Sequence, residues 1–290
     1  MAWRCAGISW PPGARTGVLV WAGGRVSPLV AGKELGFRAE GARRCVGARG
    51  NVCPLAAVVP GRTTQARCPE CARLDRAHSV AADTIADDPR TYRVYLAWFG
   101  PGMVKVGITA EARGPARLLE QGAVVFSWLG RGPLMAARRT EELLRTALGV
   151  PDRIPYADKR AVRAALPGPA ERVAEIEELH GRALALPGWA ESLERIAFEA
   201  VDHAGVFGLD GLPAATGVVR ELVDGGVVAG RLLAAAGPDL HLRTAGGQVV
   251  VVDTRLMTGW GLVGADPGAG ISVPVAEVGA GDPGVQDGLF

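Results

Sequence analysis

The chain has 290 residues, 32 basic and 30 acidic side chains, and a net charge of +2. With 48% hydrophobic and 21% charged residues it is neither a disordered acidic chain nor a fibrous one, and its 41 glycines follow no collagen-like period. The length suits one large or two small domains with real cores. The near-neutral total hides a division. Residues 1–160 carry 24 Lys+Arg against 13 Asp+Glu, net +11, and residues 161–290 carry 8 against 17, net −9. A basic half of this kind favours a polyanion through phosphate contacts and counterion release, or it complements the chain's own acidic half or leaves that half for a protein partner. Only Lys33, Lys105 and Lys159 are lysines, so the bias toward arginine makes any single arginine weak evidence.

No stretch approaches the roughly 18 to 20 apolar residues that span a bilayer, and Pro11, Pro12 and Gly13 interrupt the start before a signal segment could form. The expectation is a cytoplasmic protein with no membrane partner. Residues 1–42 read as a β segment, with a strand at Gly17–Trp21 turning at Ala22–Gly24.

Residues 43–80 hold Cys45, Cys53, Cys68 and Cys71. In a reducing compartment four thiolates suit structural zinc better than disulfides, with free buried thiols or redox chemistry as the other readings. Cys68-Pro-Glu-Cys71 makes a knuckle with a helix starting behind it, and the wider Cys45–Cys53 spacing requires a loop that folds back. Cys5 stands outside the cluster, and His78 is a weaker fifth candidate ligand. Ala82–Pro89 reads as a linker.

Residues 90–155 read as a hairpin, Tyr92–Phe99 and Met103–Thr109 around Gly100-Pro-Gly102, then a short helix over Pro115–Gly122, a strand over Val124–Leu129 and a helix over Pro133–Gly149. Pairing about Pro101 sets Tyr95 opposite Gly107 and Ala97 opposite Lys105, all four on one face. Val94, Leu96, Val104, Val106 and Ile108 form the apolar face. A tyrosine beside a glycine is expected to leave space over the sheet for a substrate atom. In the last helix Glu141 falls within the apolar stripe of Leu134, Ala137, Leu144 and Leu148, where a carboxylate needs a partner or a metal, while Glu142 turns toward solvent. Residues 156–203 read as helical, with helices over 169–186 and 188–202. Residues 204–265 read as glycine-punctuated strands forming a small barrel or sandwich, and residues 266–290 as an irregular tail.

Val94-Tyr95-Leu96, followed by Val106-Gly107, Arg117 and Glu141, is similar to the GIY-YIG nuclease core. The fuller string Tyr92–Thr109, with Lys105-Val-Gly-Ile-Thr109 and Arg117–Ala123, resembles the bacterial family called domain of unknown function 2797, in which a cysteine-rich segment precedes these motifs. Pro151-Asp-Arg153 and Lys159 also look familial, and the resemblance covers about residues 15–265. It implies an α+β fold: a small zinc segment, a three-stranded GIY-YIG-like sheet with flanking helices over 90–155, a helical pair and a C-terminal β region. For function it implies a divalent-metal-dependent endonuclease or phosphodiesterase. Tyr95 would help deprotonate water, Arg117 would stabilise the phosphorane-like charge, and Glu141 would hold Mg²⁺ or Mn²⁺. Lys105 stands where the second motif tyrosine would be, and no asparagine matches the superfamily's usual one, since Asn51 is the only asparagine. Lys105, Arg113, Arg117 and Arg138 are the candidate nucleic-acid contacts. The alternatives are a non-catalytic nucleic-acid-binding module and an enzyme using the same pocket on another substrate.

Overall fold

The computed structural model describes residues 2–13, 15–77, 88–151 and 153–278. His78, residues 82–87 of the expected linker and residues 279–290 of the expected tail lie outside them. In chain order come β1 (Trp3–Ser9), β2 (Val18–Trp21), β3 (Val26–Pro28), β4 (Glu34–Glu40) and α1 (Pro69–Arg76). The middle of the chain supplies β5 (Thr91–Trp98), β6 (Val104–Ala110), α2 (Ala116–Gln121), β7 (Val125–Pro133) and α3 (Leu134–Leu148). Then follow α4 (Tyr156–Val162), α5 (Pro169–Ala185), β8 (Glu194–Arg195), β9 (Val201–Asp202) and α6 (Ala204–Phe207). The remainder is β10 (Gly217–Val219), β11 (Val227–Ala236), β12 (Asp239–Arg243), β13 (Val249–Asp253), α7 (Thr254–Met257), β14 (Gly261–Gly264) and β15 (Val275–Glu277).

The fold is α+β with two sheets. The smaller runs β6-β5-β7-β8, with β9 also on β7. Its hairpin register matches the sequence expectation, Tyr95 opposite Gly107 and Ala97 opposite Lys105. Val94, Leu96, Trp98, Val104 and Val106 turn to one core, which α3 and α5 cover. Leu134, Ala137 and Leu144 on α3 are buried as their spacing predicts, together with Ala136 and Thr140, and α5 buries Ile176 and Ala183 with Arg172 and His180. Gly149 ends α3 in the left-handed region at φ 66°.

The larger sheet runs β15-β10-β13-β12-β11-β4-β14-β1-β2-β3. It corrects the expected C-terminal barrel or sandwich. The C-terminal strands do not close on themselves, because β4 inserts between β11 and β14, and β14 pairs in turn with β1. N-terminal and C-terminal strands therefore form one open sheet. Val275–Glu277, expected within an irregular tail, pairs with β10 at its edge.

The expected helix over 188–202 is also corrected. Its apolar residues at helical spacing cap β7 instead. A Cβ on Gly130 would come within 2.7 Å of Leu193 and 3.0 Å of Trp189, and one on Gly132 within 2.6 Å of the Ser192 carbonyl. Those two glycines let the segment lie flat on β7, where β8 and β9 each pair with it.

Two charged contacts join the parts. Arg160 on α4 donates to Asp239 at 2.7 Å and to Asp253 at 2.9 Å, a basic-half residue paired with two of the acidic half. Arg43, 1% exposed, donates to four carbonyls: Pro60 and Thr63 at 2.6 Å, and Thr258 and Arg255 at 2.8 Å. Some of the basic surplus is therefore internal. Among the described residues no helix is long and apolar enough to cross a membrane.

Candidate functional sites: a four-cysteine cluster and a tyrosine corner

The sequence folds Cys45 back onto Cys53 by a tight hairpin. Ala48 bridges Asn51, with Arg49 at φ 53° and Gly50 at φ 79° between them. Gly47 is obligatory there: it sits at φ 82°, and a Cβ would fall 1.9 Å from the Asn51 carbonyl oxygen. On the other side Cys68 caps α1, Pro69 takes the first helical position, and Cys71 faces inward one turn on.

The four sulfurs are buried and lie within 4.8 Å of one another, with Cys53 and Cys68 at 4.0 Å. Tetrahedral coordination at about 2.3 Å places sulfurs about 3.8 Å apart. Backbone N–H groups of Gly47 and Cys68 donate to Cys45 Sγ at 3.4 and 3.2 Å and fix its position in the cluster. The Cys53 thiol is drawn down to about 7, chiefly by the backbone at Ala57, whereas burial and the neighbouring sulfurs push Cys71 up to about 12. Four such thiols ionise together only around a cation. The cluster could hold a metal ion, and the donor set fits one. Cys5 is buried elsewhere, its thiol pushed up to about 11 by burial.

The second site lies on the opposite face of the small sheet from the main core, where Tyr95, Ala97, Phe99, Leu118, Ala123, Phe126 and Ile154 pack together. That face is buried, and the expected space over Gly107 is filled by Tyr95. A Cβ on Gly107 would meet Tyr95 Oη at 2.3 Å. Against β7 the register slips between Val94 and Tyr95, leaving one extra β7 residue, Leu129, at this point.

Gln121 Nε2 donates to Tyr95 Oη at 3.1 Å. Burial raises the Tyr95 phenol above its ordinary value; Gln121 and then the Arg117 guanidinium oppose that shift, and the Glu141 carboxylate adds to it. Arg117 on α2 and Glu141 on α3 thus both act electrostatically on the Tyr95 phenol of β5. Glu141 is half-buried between buried Thr140 and exposed Glu142, and Glu142 pairs with Arg145 at 2.7 Å. Lys105 is half-buried on the edge strand β6.

The other candidate contacts differ. Arg113 is held by both oxygens of Glu120 at 2.7 Å. Arg117 is 46% exposed, with Glu120 3.8 Å away. Arg138 is half-buried on α3.

Gln121 and Lys159 escaped the sequence reading as site residues. Lys159 is 4% exposed and donates to the Gln121 carbonyl at 3.1 Å, with its ammonium 3.9 Å from the centre of the Phe99 ring and 4.4 Å from that of Tyr156. Burial first, then Lys105 and Arg163, push it down to about 7. One signal could have found Gln121, which lies one helical turn after Arg117 on the same face; Lys159 offered only the rarity of lysine in this chain.

A family profile described as a protein of unknown function, DUF2797, matches residues 32–262. The chain belongs to this family. No curated protein and no solved structure matches it. The matched span takes in Cys45, Cys53, Cys68 and Cys71, and also Tyr95, Arg117, Gln121, Glu141 and Lys159.

Proposed function

We propose that this protein processes nucleic acid: zinc in the four-cysteine cluster staples the segment, and the Tyr95 corner acts on a phosphodiester. The observation that carries the reading is the convergence of Tyr95, Arg117 and Glu141 from three separate elements. Together they offer a hydroxyl, a guanidinium and a hard-oxygen ligand, the last two both acting on the phenol that carries the first. Zinc suits four buried thiolates at this spacing. A single half-buried carboxylate suits Mg²⁺ or Mn²⁺, which keep most of their waters and take further oxygens from substrate phosphate. When bound, such a cation draws charge off the phosphate.

The chain's own groups divide the remaining work. Tyr95 Oη accepts from Gln121, which fixes the phenol and leaves its own proton available to donate. Arg117, half-exposed, presents its guanidinium to the negative charge that develops on the phosphate. A second reading, binding without cleavage, is favoured by the raised phenol of Tyr95 and by Lys105 standing where the GIY-YIG pattern has its second tyrosine.

The test is incubation of wild type, Glu141→Ala and Glu142→Ala with plasmid, single-stranded DNA and structured RNA in Mg²⁺ or Mn²⁺. Cleavage that falls by on the order of 100-fold in Glu141→Ala and persists in Glu142→Ala supports catalysis. Retarded mobility without cleavage supports the binding reading. Neither cleavage nor retardation of any substrate overturns both.

A further inference from the structure

At the far end of the large sheet lies a groove of about 430 Å³, within the roughly 300–1,000 Å³ typical of small-molecule sites. Its walls follow from strand register. Trp3 pairs with Leu262, Phe37 with Gly264, and Trp21 with Cys5, so Trp3, Trp21 and Phe37 rise from one face of β1, β2 and β4. The indole rings of Trp3 and Trp21 stand edge to face, 6.4 Å between centres at 69°. Trp21 is fixed by its Nε1 donating to Ser27 Oγ at 2.9 Å, while Trp3 remains 37% exposed. The Arg25 guanidinium lies 4.6 Å from the centre of the Trp3 ring. Gly264 contributes no side chain, and a Cβ there would meet nothing within 4 Å, so the space beside Phe37 is open because this residue is glycine.

We infer that this groove takes an unstacked base of a single-stranded nucleic acid. Fixed aromatic rings offer faces to any planar heterocycle. Three aromatic side chains could also cage a quaternary ammonium, but Arg25 already places a positive charge there and, among the described residues, no carboxylate lines the groove. That electrostatic balance selects a neutral ring carried on an anionic backbone. The inference rests on the nucleic-acid reading for the strand it names, and adds to it a subsite on the other sheet.

The test is titration of a short end-labelled single-stranded oligonucleotide, read by anisotropy, into wild type, Gly264→Leu, Arg25→Gln, Trp3→Leu and Arg117→Ala. Thermal melting of each variant accompanies it. Gly264 has an ordinary φ, so leucine there fills the groove without backbone strain. Gly264→Leu and Trp3→Leu are expected to weaken binding about tenfold with melting unchanged, and Arg25→Gln less. Should Trp3→Leu melt early, Gly264→Leu and Arg25→Gln decide. Equal binding by Gly264→Leu and wild type, with Arg117→Ala weakened, overturns the groove and leaves the Tyr95 corner standing. Binding lost in Gly264→Leu without cleavage by wild type overturns the catalytic reading alone. Displacement of the oligonucleotide by tetramethylammonium, or no binding by wild type, overturns the inference.

Discussion

The cysteine segment and the Tyr95 corner each hold polar groups in fixed positions, by opposite means. Around the four cysteines the buried apolar complement is Ala48 and Val59 with Ala57 partly covered, while Val52, Leu55 and Val58 stay 86%, 74% and 61% exposed. Around Tyr95 the packing comes from Phe99, Leu118, Phe126 and Ile154, with α2 supplying Leu118. A segment with so little apolar burial would depend on an ion held by its cysteines for order, whereas the corner is placed by a core that does not hang on any one polar partner.

Removing the metal tests that contrast most severely, because structural zinc in small domains is worth about 10–16 kcal/mol. Elemental analysis is expected to find one zinc per chain, lost in the Cys68→Ser, Cys71→Ser double variant. Limited proteolysis should then cut within residues 43–77 before it cuts the small sheet. Full metal content in that variant, or simultaneous loss of both regions, would break the comparison.

The corner responds instead to steric change. Gly107→Ala places a methyl group 2.3 Å from Tyr95 Oη, and the expected cost is about 1–3 kcal/mol in urea unfolding, with the Gln121 contact displaced. Zinc content should not change. An unaltered midpoint would show that Tyr95 moves aside freely and that the corner is looser than its packing implies.

The smallest expected effect separates the corner's charge from its shape. Lys159 sits in the fold with its pKa at about 7, below the 10.5 of the free side chain. Between those values the unfolded chain binds the extra proton, so stability rises with pH across the window. Below about pH 7 both states are protonated and the buried ammonium costs its full amount. Wild type should gain about 1 kcal/mol relative to Lys159→Met between pH 7 and pH 8, read by urea unfolding. Parallel pH profiles of the two proteins would show that Lys159 is solvated.

What the sequence made legible was local. Gly100-Pro-Gly102 dictates the hairpin's centre, so Tyr95 facing Gly107 could be read without a fold. Cysteine spacing likewise required the Cys45–Cys53 loop to turn back, and the turn uses Arg49 and Gly50. What stayed hidden depends on partners distant in sequence. Nothing periodic in Glu34–Glu40 indicates that it will lie between β11 and β14, which is what prevents a closed C-terminal barrel. Trp189, Leu193, Ile196 and Ala200 have helical spacing, yet the surface that Trp189 and Leu193 cover is created by Gly130 and Gly132 on another strand. Gln121 and Lys159 carry no motif of their own. Their roles come from where α2 and α4 place them.

Arg43 gives the four-cysteine cluster a reach beyond its own segment. Two of its four acceptors, Pro60 and Thr63, belong to the cysteine segment, and two, Arg255 and Thr258, belong to the link between β13 and β14. Were the segment to loosen, the guanidinium would keep only half its acceptors while still lacking water. That penalty would fall on residues 255–258, some two hundred positions along the chain from the cysteines. Hydrogen-exchange rates there should track metal occupancy, so a stretch that touches no ligand becomes a remote gauge of the cluster's state.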